Sequence, residues 1–398
     1  MLSAKTIEII KSTVPVLEKH GEEITKRFYA TMLKAHPELL NIFNHTNQKI
    51  GRQQSALANA VYAFAVYIDQ IEKIMPDVKL IAHKHRSLGI KPEHYPIVGK
   101  YLILAIKDVL KDAATDEIIQ AWTEAYGVLA DTFISIEKEM YEEVESKEGG
   151  WRDFKEFYVA NKIKESDVIT SFYLKPKDSS KVASFMPGQY ISVRVKIPSS
   201  EYTQIRQYSL SDAPNGEYYR ISVKREAEEH KPKGVVSNYL HNFVNEGDTI
   251  EVSVPAGDFV LNMESKKPLV LISGGVGITP LISMLKVASK EQPERDITFI
   301  HAARNGQYHA LREEASSLGA KVLFCYSEPT EEDKLAQNFD KEGYITSEWL
   351  KEVIENKDAD YYMCGPVPFM KAIYQALVDI GVKKEAIHYE FFGPSMKL

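Results

Sequence analysis

The chain has 398 residues, more than one ordinary domain at roughly 150 residues each, so two or three units are expected. Apolar residues at 44% and charged residues at 26% exclude a disordered or fibrous class, and a net charge of −7 argues against a nucleic-acid partner, whose phosphates select basic surfaces. The longest unbroken apolar run, Ala60 to Ile68, is far short of the roughly 20 residues that cross a bilayer, so no integral membrane association is expected.

Glu8 and Lys11 interrupt an N-terminus that lacks the basic region and apolar core of a secretory signal. Two cysteines, Cys325 and Cys364, make neither a disulfide framework nor a cysteine metal cluster, and a cytoplasmic location is the expectation. Through residue 145 the pattern is helical. Leu57, Val61, Phe64, Ala65 and Ile68 recur at three- and four-residue steps within Arg52 to Ile68, and a long last helix is predicted from about Glu117 towards Tyr141. Pro37, Pro76 and Pro92 fall between such segments.

Polar, glycine-ended Ser146 to Gly150 marks a boundary, and from residue 151 to 262 the period becomes two. Ile191, Val193 and Val195 alternate with polar neighbours, as do Ile221 and Val223, and Pro187-Gly188, Asn215-Gly216 and Glu246-Gly247-Asp248 signal turns. An antiparallel barrel is the natural reading. Residues 267–398 read differently: a continuous apolar strand, Leu269 to Ser273, runs into glycines and a helix over Leu281 to Ala288. Ile297 to Ala302 is the next strand, so the pattern predicts a parallel, doubly wound α/β sheet.

Polar residues on apolar faces are the candidate chemistry of the helical region. Val78, Ile81, Ala82, His85 and Leu88 share one stripe, so His85 projects from an apolar face and His83 does not. Glu137 follows Tyr126, Leu129 and Phe133 at steps of three and four, which turns a carboxylate inward, where it needs a partner. A metal-ligating histidine commonly gives its second ring N–H to a carboxylate, and Tyr95 could bond the same group; a purely structural buried pair is the alternative.

Arg27-Phe28-Tyr29, Asn41-Ile42-Phe43, Gln53 with Leu57, Lys84-His85, Lys91 to Tyr95 and Ala125 to Ala130 resemble the globin domain of flavohaemoglobins. That resemblance implies that His85 is the proximal ligand of a haem b iron, with Glu137 and Tyr95 as its partners. It puts Tyr29 and Gln53 on the distal side, where a phenol would donate to a polar diatomic ligand; the alternative for Tyr29 is a core tyrosine with a bonded hydroxyl. Phe43 and Leu57 would wall the haem pocket in apolar surface, and Lys84 would line it.

Arg206-Gln207-Tyr208-Ser209 is a short string, but it follows Pro187-Gly188-Gln189-Tyr190 and precedes Gly234-Val235-Val236-Ser237-Asn238, an order similar to ferredoxin-reductase-like flavoproteins. The resemblance implies FAD: Arg206 for the pyrophosphate, Tyr208 stacked on the ring, Ser209 at its redox-active edge, with Tyr190 and Gln207 beside them. Val235, Val236 and Ser237 open a helix whose free N–H groups suit a diphosphate. The C-terminal Glu390, Phe391, Phe392, Gly393 and Pro394 would cover the flavin.

Gly274-Gly275-Val276-Gly277-Ile278-Thr279-Pro280 lies between a predicted strand and a predicted helix, the setting of a phosphate-binding turn, with Thr279 as the expected helix N-cap. Cys364-Gly365-Pro366 after Tyr361-Tyr362-Met363 resembles the second nicotinamide-side motif, for which a buried structural thiol is the alternative. The expected architecture is therefore multidomain: an all-α globin at 1–145, an antiparallel β-barrel FAD-binding domain at 151–262, and a doubly wound α/β NAD(P)-binding domain at 267–398.

The resemblance covers essentially the whole chain and implies a monomeric nitric oxide dioxygenase that oxidises NO with O2 to nitrate, passing electrons from NADH or NADPH through FAD to haem. A haem or peroxide reductase and a gas-sensing globin are its rivals. The choice between NADH and NADPH stays open: Arg304 could meet a 2′-phosphate or be an ordinary loop arginine.

Overall fold

A computed structural model describes residues 2–43, 48, 51–227 and 233–393. Helices open the chain: α1 (Ala4–Ser12), α2 (Val14–Ala35), α3 (Arg52–Val66), α4 (Met75–Leu88), α5 (His94–Leu110) and α6 (Asp116–Ser146). Ser3 caps the first by accepting the Thr6 N–H, and Gly89, at φ 72, ends α4 in the left-handed conformation that a glycine adopts without strain. Each helix buries a stripe. On α2, Ile24, Phe28 and Met32 are turned inward at four-residue steps; they meet Phe64 of α3, Ala82 of α4, Leu102 and Ile106 of α5 and Trp122 and Phe133 of α6 in one apolar core.

The next segment forms β1 (Phe154–Lys164), β2 (Ile169–Pro176), β3 (Tyr190–Val195), β4 (Gln204–Ser209) and β5 (Tyr219–Lys224), then α7 (Val235–Phe243) and β6 (Thr249–Ser253). Their order is β4-β3-β6-β1-β2-β5, with β1–β2 and β2–β5 antiparallel. An antiparallel bridge between Leu210, just past β4, and Ile221 on β5 joins the two outer strands and closes the barrel. Arg220 and Ser222 on β5 are buried along with Ile221 and Val223, so its polar alternates do not face water. The Ser222 hydroxyl lies 2.8 Å from those of both Ser171 and Ser211, which satisfies it.

Strand and helix then alternate: β7 (Leu269–Gly274), α8 (Ile278–Glu291), β8 (Ile297–Ala303), α9 (Arg312–Ser316), β9 (Lys321–Tyr326) and α10 (Glu331–Ala336). They continue as β10 (Lys341–Glu342), α11 (Ser347–Val353), β11 (Asp360–Cys364), α12 (Val367–Asp379) and β12 (Ile387–Glu390). The sheet order is β10-β9-β8-β7-β11-β12, with parallel pairing from strand to strand. From β7 the chain winds outward to β10 and returns to β11 on the other flank, so the topological switch point lies between β7 and β11. In open α/β sheets the ligand crevice is found there, beyond the carboxyl ends of the strands.

Two glycines modify one expectation. Gly275, at φ 54, starts a 3-10 turn over Gly275–Gly277 that runs straight into α8, so the helix begins at Ile278 rather than near Leu281. Gly277 is the N-cap; Thr279 falls inside the first turn, and its hydroxyl donates to the Val276 carbonyl at 2.9 Å instead of capping.

The chain divides into two compact units, one of residues 1–146, 151–154 and 194–206, the other of 147–150, 155–193 and 207–398. Residues 194–206 thus group with the helices, and within that unit the Thr203 N–H donates to Asn41 Oδ1 at 2.9 Å. Among the described residues no helix is long and apolar enough to cross a membrane.

His301 on β8 is 1% exposed and His309 is 4% exposed, with His301 Nδ1 2.8 Å from the Ser273 hydroxyl. Burial pushes the His301 imidazole down from 6.5 to about 3. It is uncharged in both states at neutral pH; below 6.5 only the unfolded chain takes the proton, so stability is lost as the pH falls through that value towards 3. His301→Gln is expected to lose less stability than the parent between about pH 7 and about pH 5. Urea midpoints measured across that range check this, and parallel losses would contradict it.

Candidate functional site

His85 stands in the last turn of α4, Tyr95 in the first turn of α5 and Glu137 in the middle of α6. They converge on one oxygen: Glu137 Oε1 lies 2.8 Å from His85 Nδ1 and accepts from the Tyr95 hydroxyl at 2.5 Å, while that hydroxyl is 3.1 Å from the same imidazole nitrogen. An ionised carboxylate only accepts, so the nitrogen facing it carries the hydrogen and the Nε2 lone pair points the other way. The His85 side chain is 30% exposed and that of Glu137 4%, so the open edge of the site is the imidazole's. This donor set fits an axial ligand to a haem iron.

Surrounding contacts fix the triad. Burial, and then the Glu137 charge, push the Tyr95 phenol well above its ordinary range, so it remains a donor. Tyr126 bonds the Tyr95 carbonyl at 2.6 Å, and its ring lies against Gly99, where a Cβ would come within 2.4 Å. Tyr141 donates to the Ile90 carbonyl at 3.2 Å, which ties the chain after α4 to α6.

Tyr29 on α2 is 6% exposed, and its side chain is bonded to that of Gln53 at the start of α3. Burial raises its phenol pKa, so it too stays protonated. Phe43 meets the Tyr29 ring edge-on at 5.6 Å, and Leu57 packs against the same core. Lys84 is half-buried beside His85.

Arg206, Gln207, Tyr208 and Ser209 are consecutive on β4, with Gln207 Nε2 donating to the Ser192 hydroxyl at 3.2 Å and Ser209 buried. Tyr190 pairs with Ala256, and its ring lies beside Gly257, where a Cβ would sit at 3.0 Å. Val235, Val236 and Ser237 form the first turn of α7; its N-cap, Gly234, supplies no side-chain bond, which leaves first-turn N–H groups for an anion. Glu390 ends β12 in register with Cys364 on β11. Phe391 packs edge-on to Tyr389, Phe392 is exposed and Gly393 follows, whereas Pro394 lies outside the described residues.

The Gly274 to Pro280 turn and Cys364-Gly365-Pro366 follow β7 and β11, the two strands that flank the switch point. A Cβ on Gly277 would lie 2.2 Å from the Cys364 carbonyl oxygen, and those on Gly274 and Gly365 would press on the Phe369 ring at 3.0 and 2.6 Å. Only backbone fits between these loops. The Cys364 thiol is fully buried, and burial pushes its pKa up, so it stays protonated. Arg304 follows β8 and stacks on Tyr308 at 4.7 Å, with Glu328 3.9 Å from its guanidinium.

Gly277→Ala must part the two loops. Flavin reduction by nicotinamide is expected to slow by about tenfold or more, since misplacement by about 1 Å costs up to about a hundredfold. Stopped-flow reduction measures this, and an unaltered rate would contradict assignment of the paired loops to the nucleotide.

A globin family model matches residues 26–133, an oxidoreductase FAD-binding domain model residues 156–261 and an oxidoreductase NAD-binding domain model residues 271–375. The chain is 61% identical over 403 residues to a flavohemoprotein of Bacillus cereus, with both chains fully covered. It is 60% identical to a flavohemoprotein of Bacillus subtilis, over all of this chain and 99% of that one. A crystal structure of flavohemoglobin from Malassezia yamatoensis, with bound FAD and heme, matches 98% of this chain and 100% of its own at 30% identity and a TM-score of 0.87. The flavohem-like FAD/NAD binding domain of nitric oxide dioxygenase from Vibrio cholerae matches 61% of this chain and all of its own at 40% identity and a TM-score of 0.56. With identity of this level running from end to end, the chain belongs to the flavohaemoglobin family.

Proposed function

We propose that the chain is a nitric oxide dioxygenase, which oxidises NO with O2 to nitrate using electrons passed from NADH or NADPH through FAD to haem b iron. The end-to-end likeness to flavohemoproteins is the observation that carries this reading, and the activity named for the Vibrio cholerae domain supports it. The nicotinamide supplies electrons in pairs, the flavin releases them singly and the haem iron takes one at a time while holding the gas. A globin at 1–145, an FAD-binding barrel at 151–262 and an NAD(P)-binding domain at 267–398 divide this work, and the spans of the three matched models support that division.

His85 holds the iron through Nε2, and Glu137, by accepting the Nδ1 hydrogen, makes that nitrogen more electron-rich. Tyr95 keeps the carboxylate in place. On the distal side Tyr29 donates to the polar gas ligand, Gln53 orients the Tyr29 hydroxyl, Phe43 and Leu57 exclude water, and Lys84 lines the proximal pocket. Arg206, Tyr208 and Ser209 hold the flavin, with Tyr190, Gln207, the first turn of α7 and the segment from Glu390 to Gly393. The turn Gly274 to Pro280 and the Cys364-Gly365-Pro366 loop receive the nicotinamide nucleotide. Since one chain carries both redox centres, electron delivery needs no second copy, and a monomer is proposed. The cytoplasm is proposed as its location because the nicotinamide pool it consumes is there.

Two tests apply. Under air, the purified holoenzyme with NADH is expected to convert NO to nitrate at two NO per NADH, as the electron count requires; NO loss without nitrate would overturn the reading. His85→Ala is expected to abolish that turnover and to yield protein with flavin and little haem by absorption.

Tyr29→Phe removes one donor from the gas. O2 is expected to dissociate roughly 10- to 100-fold faster, which corresponds to about 1.5–3 kcal/mol for a hydrogen bond to a charged or strongly polarised acceptor. Stopped-flow ligand displacement measures the rate, and an unchanged value would place the phenol away from the ligand.

A further inference from the structure

Ser209 ends β4, and three residues later the Asp212 side chain lies 8% exposed among groups that come from the α/β region as well as from the barrel. Its backbone carbonyl accepts from the Ser283 hydroxyl at 2.7 Å, and its carboxylate pairs with the Lys286 ammonium; both residues are on α8. The same carboxylate takes the Tyr218 hydroxyl at 2.8 Å and the Ala213 N–H at 2.8 Å. Around it the ion pairs continue. Lys286 reaches Glu314 on α9 at 2.6 Å, and Glu314 receives two bonds, at 2.8 and 3.1 Å, from Arg220 on β5. Arg220, 4% exposed, also donates to Ser211, the neighbour of Asp212.

Two cations and two carboxylates, drawn from barrel strand, helix and loop, therefore close on one another within one compact unit. Such a network adds little net stability, because desolvating four charges offsets most of their attraction; its effect is to admit one geometry, since any slip strands a charge. What it aligns follows from the chain. Ser209 ends β4, and the three residues on to Asp212 can span at most about 10 Å. Eight residues of helix separate Lys286 from Ile278 in the glycine turn, about 12 Å. A second contact works in the same sense: at Gly188, in the Pro187-Gly188-Gln189-Tyr190 turn, a Cβ would come within 2.6 Å of Met284 Cε on α8, so the barrel also seats on this helix there.

We propose that the Asp212–Ser283–Lys286 clamp, closed by Arg220 and Glu314, sets the distance between the flavin edge and the nicotinamide, and that these are positioning residues for hydride transfer. The proposal rests on the assignment of Ser209 to the flavin and of the Gly274 to Pro280 turn to the nicotinamide. All five are assigned to act through the loops that hold the two rings.

The test uses full-length holoenzyme reduced anaerobically with NADH and with NADH deuterated at both C4 positions in stopped flow, beside FAD content, haem content and melting temperature. For Lys286→Met the expected result is flavin reduction slowed about tenfold or more, since displacement by about 1 Å costs up to about a hundredfold. Flavin and haem content stay at the parent level, and the deuterium isotope effect becomes larger. Lys286→Arg, which restores the charge, is expected to recover most of the rate. Haem reduction from flavin reduced beforehand by light is expected to stay at the parent rate.

Flavin reduction within twofold of the parent in Lys286→Met that keeps its FAD would overturn the proposal, as would slowing with an unaltered isotope effect. Should Lys286→Met lose FAD, Ser283→Ala, which removes one bond and no charge, decides on the same criteria. Ser209→Ala and Thr279→Ala separate the two levels. If neither changes flavin reduction, the underlying site assignment fails; if both slow it and the clamp variants do not, the clamp alone fails.

Discussion

A carboxylate at 3% exposure inside a helical core must be satisfied, and the catalytic half of the molecule depends on how Glu137 achieves this. Tyr95 and His85 come from two other helices, so α4, α5 and α6 are held in register by bonds to a single oxygen. Rotating the imidazole would leave that oxygen short of a donor in an apolar surrounding. The ring is therefore held with Nδ1 inward and Nε2 outward, and the direction of the Nε2 lone pair is a consequence of satisfying a buried charge.

Exclusion shapes the nucleotide half more than polarity does. Gly274, Gly277 and Gly365 leave no room for a side chain, since Phe369 or the backbone of Cys364 occupies the space. The loops after β7 and β11 consequently touch through main chain, with Cys364 as a neutral buried thiol behind them. Asp212 then links the strand that follows the flavin motif to the helix that follows the glycine turn. Backbone contact sets the shape of the crevice, and charge sets its alignment.

Local periodicity carried much of this into view. The stripe through Val78, Ala82 and His85, the inward turn of Glu137, the change to period two and the later strand–helix alternation all follow from side-chain spacing along single elements. Helix ends are less legible. Thr279 has the chemistry of an N-cap, but the positive φ of Gly275 moves the start of α8 back to Ile278, and a backbone angle leaves no mark in hydrophobic spacing. The bond between Tyr29 and Gln53 could be anticipated only from the resemblance. Residues 194–206 belong to the barrel sequence, but the bond from Thr203 to Asn41, 162 positions away, leaves no local signal. Asp212 and Lys286 are 74 positions apart, and each alone looks like an ordinary surface charge.

We propose that the Glu137 carboxylate acts on the iron through His85. Resonance Raman spectra of the ferrous, ligand-free holoprotein read the iron–histidine stretch directly, in the parent and in Glu137→Gln, which keeps the shape and removes the charge. A higher frequency in the parent and a clear fall in the variant are expected. Coincident bands in two proteins with equal haem content would contradict it.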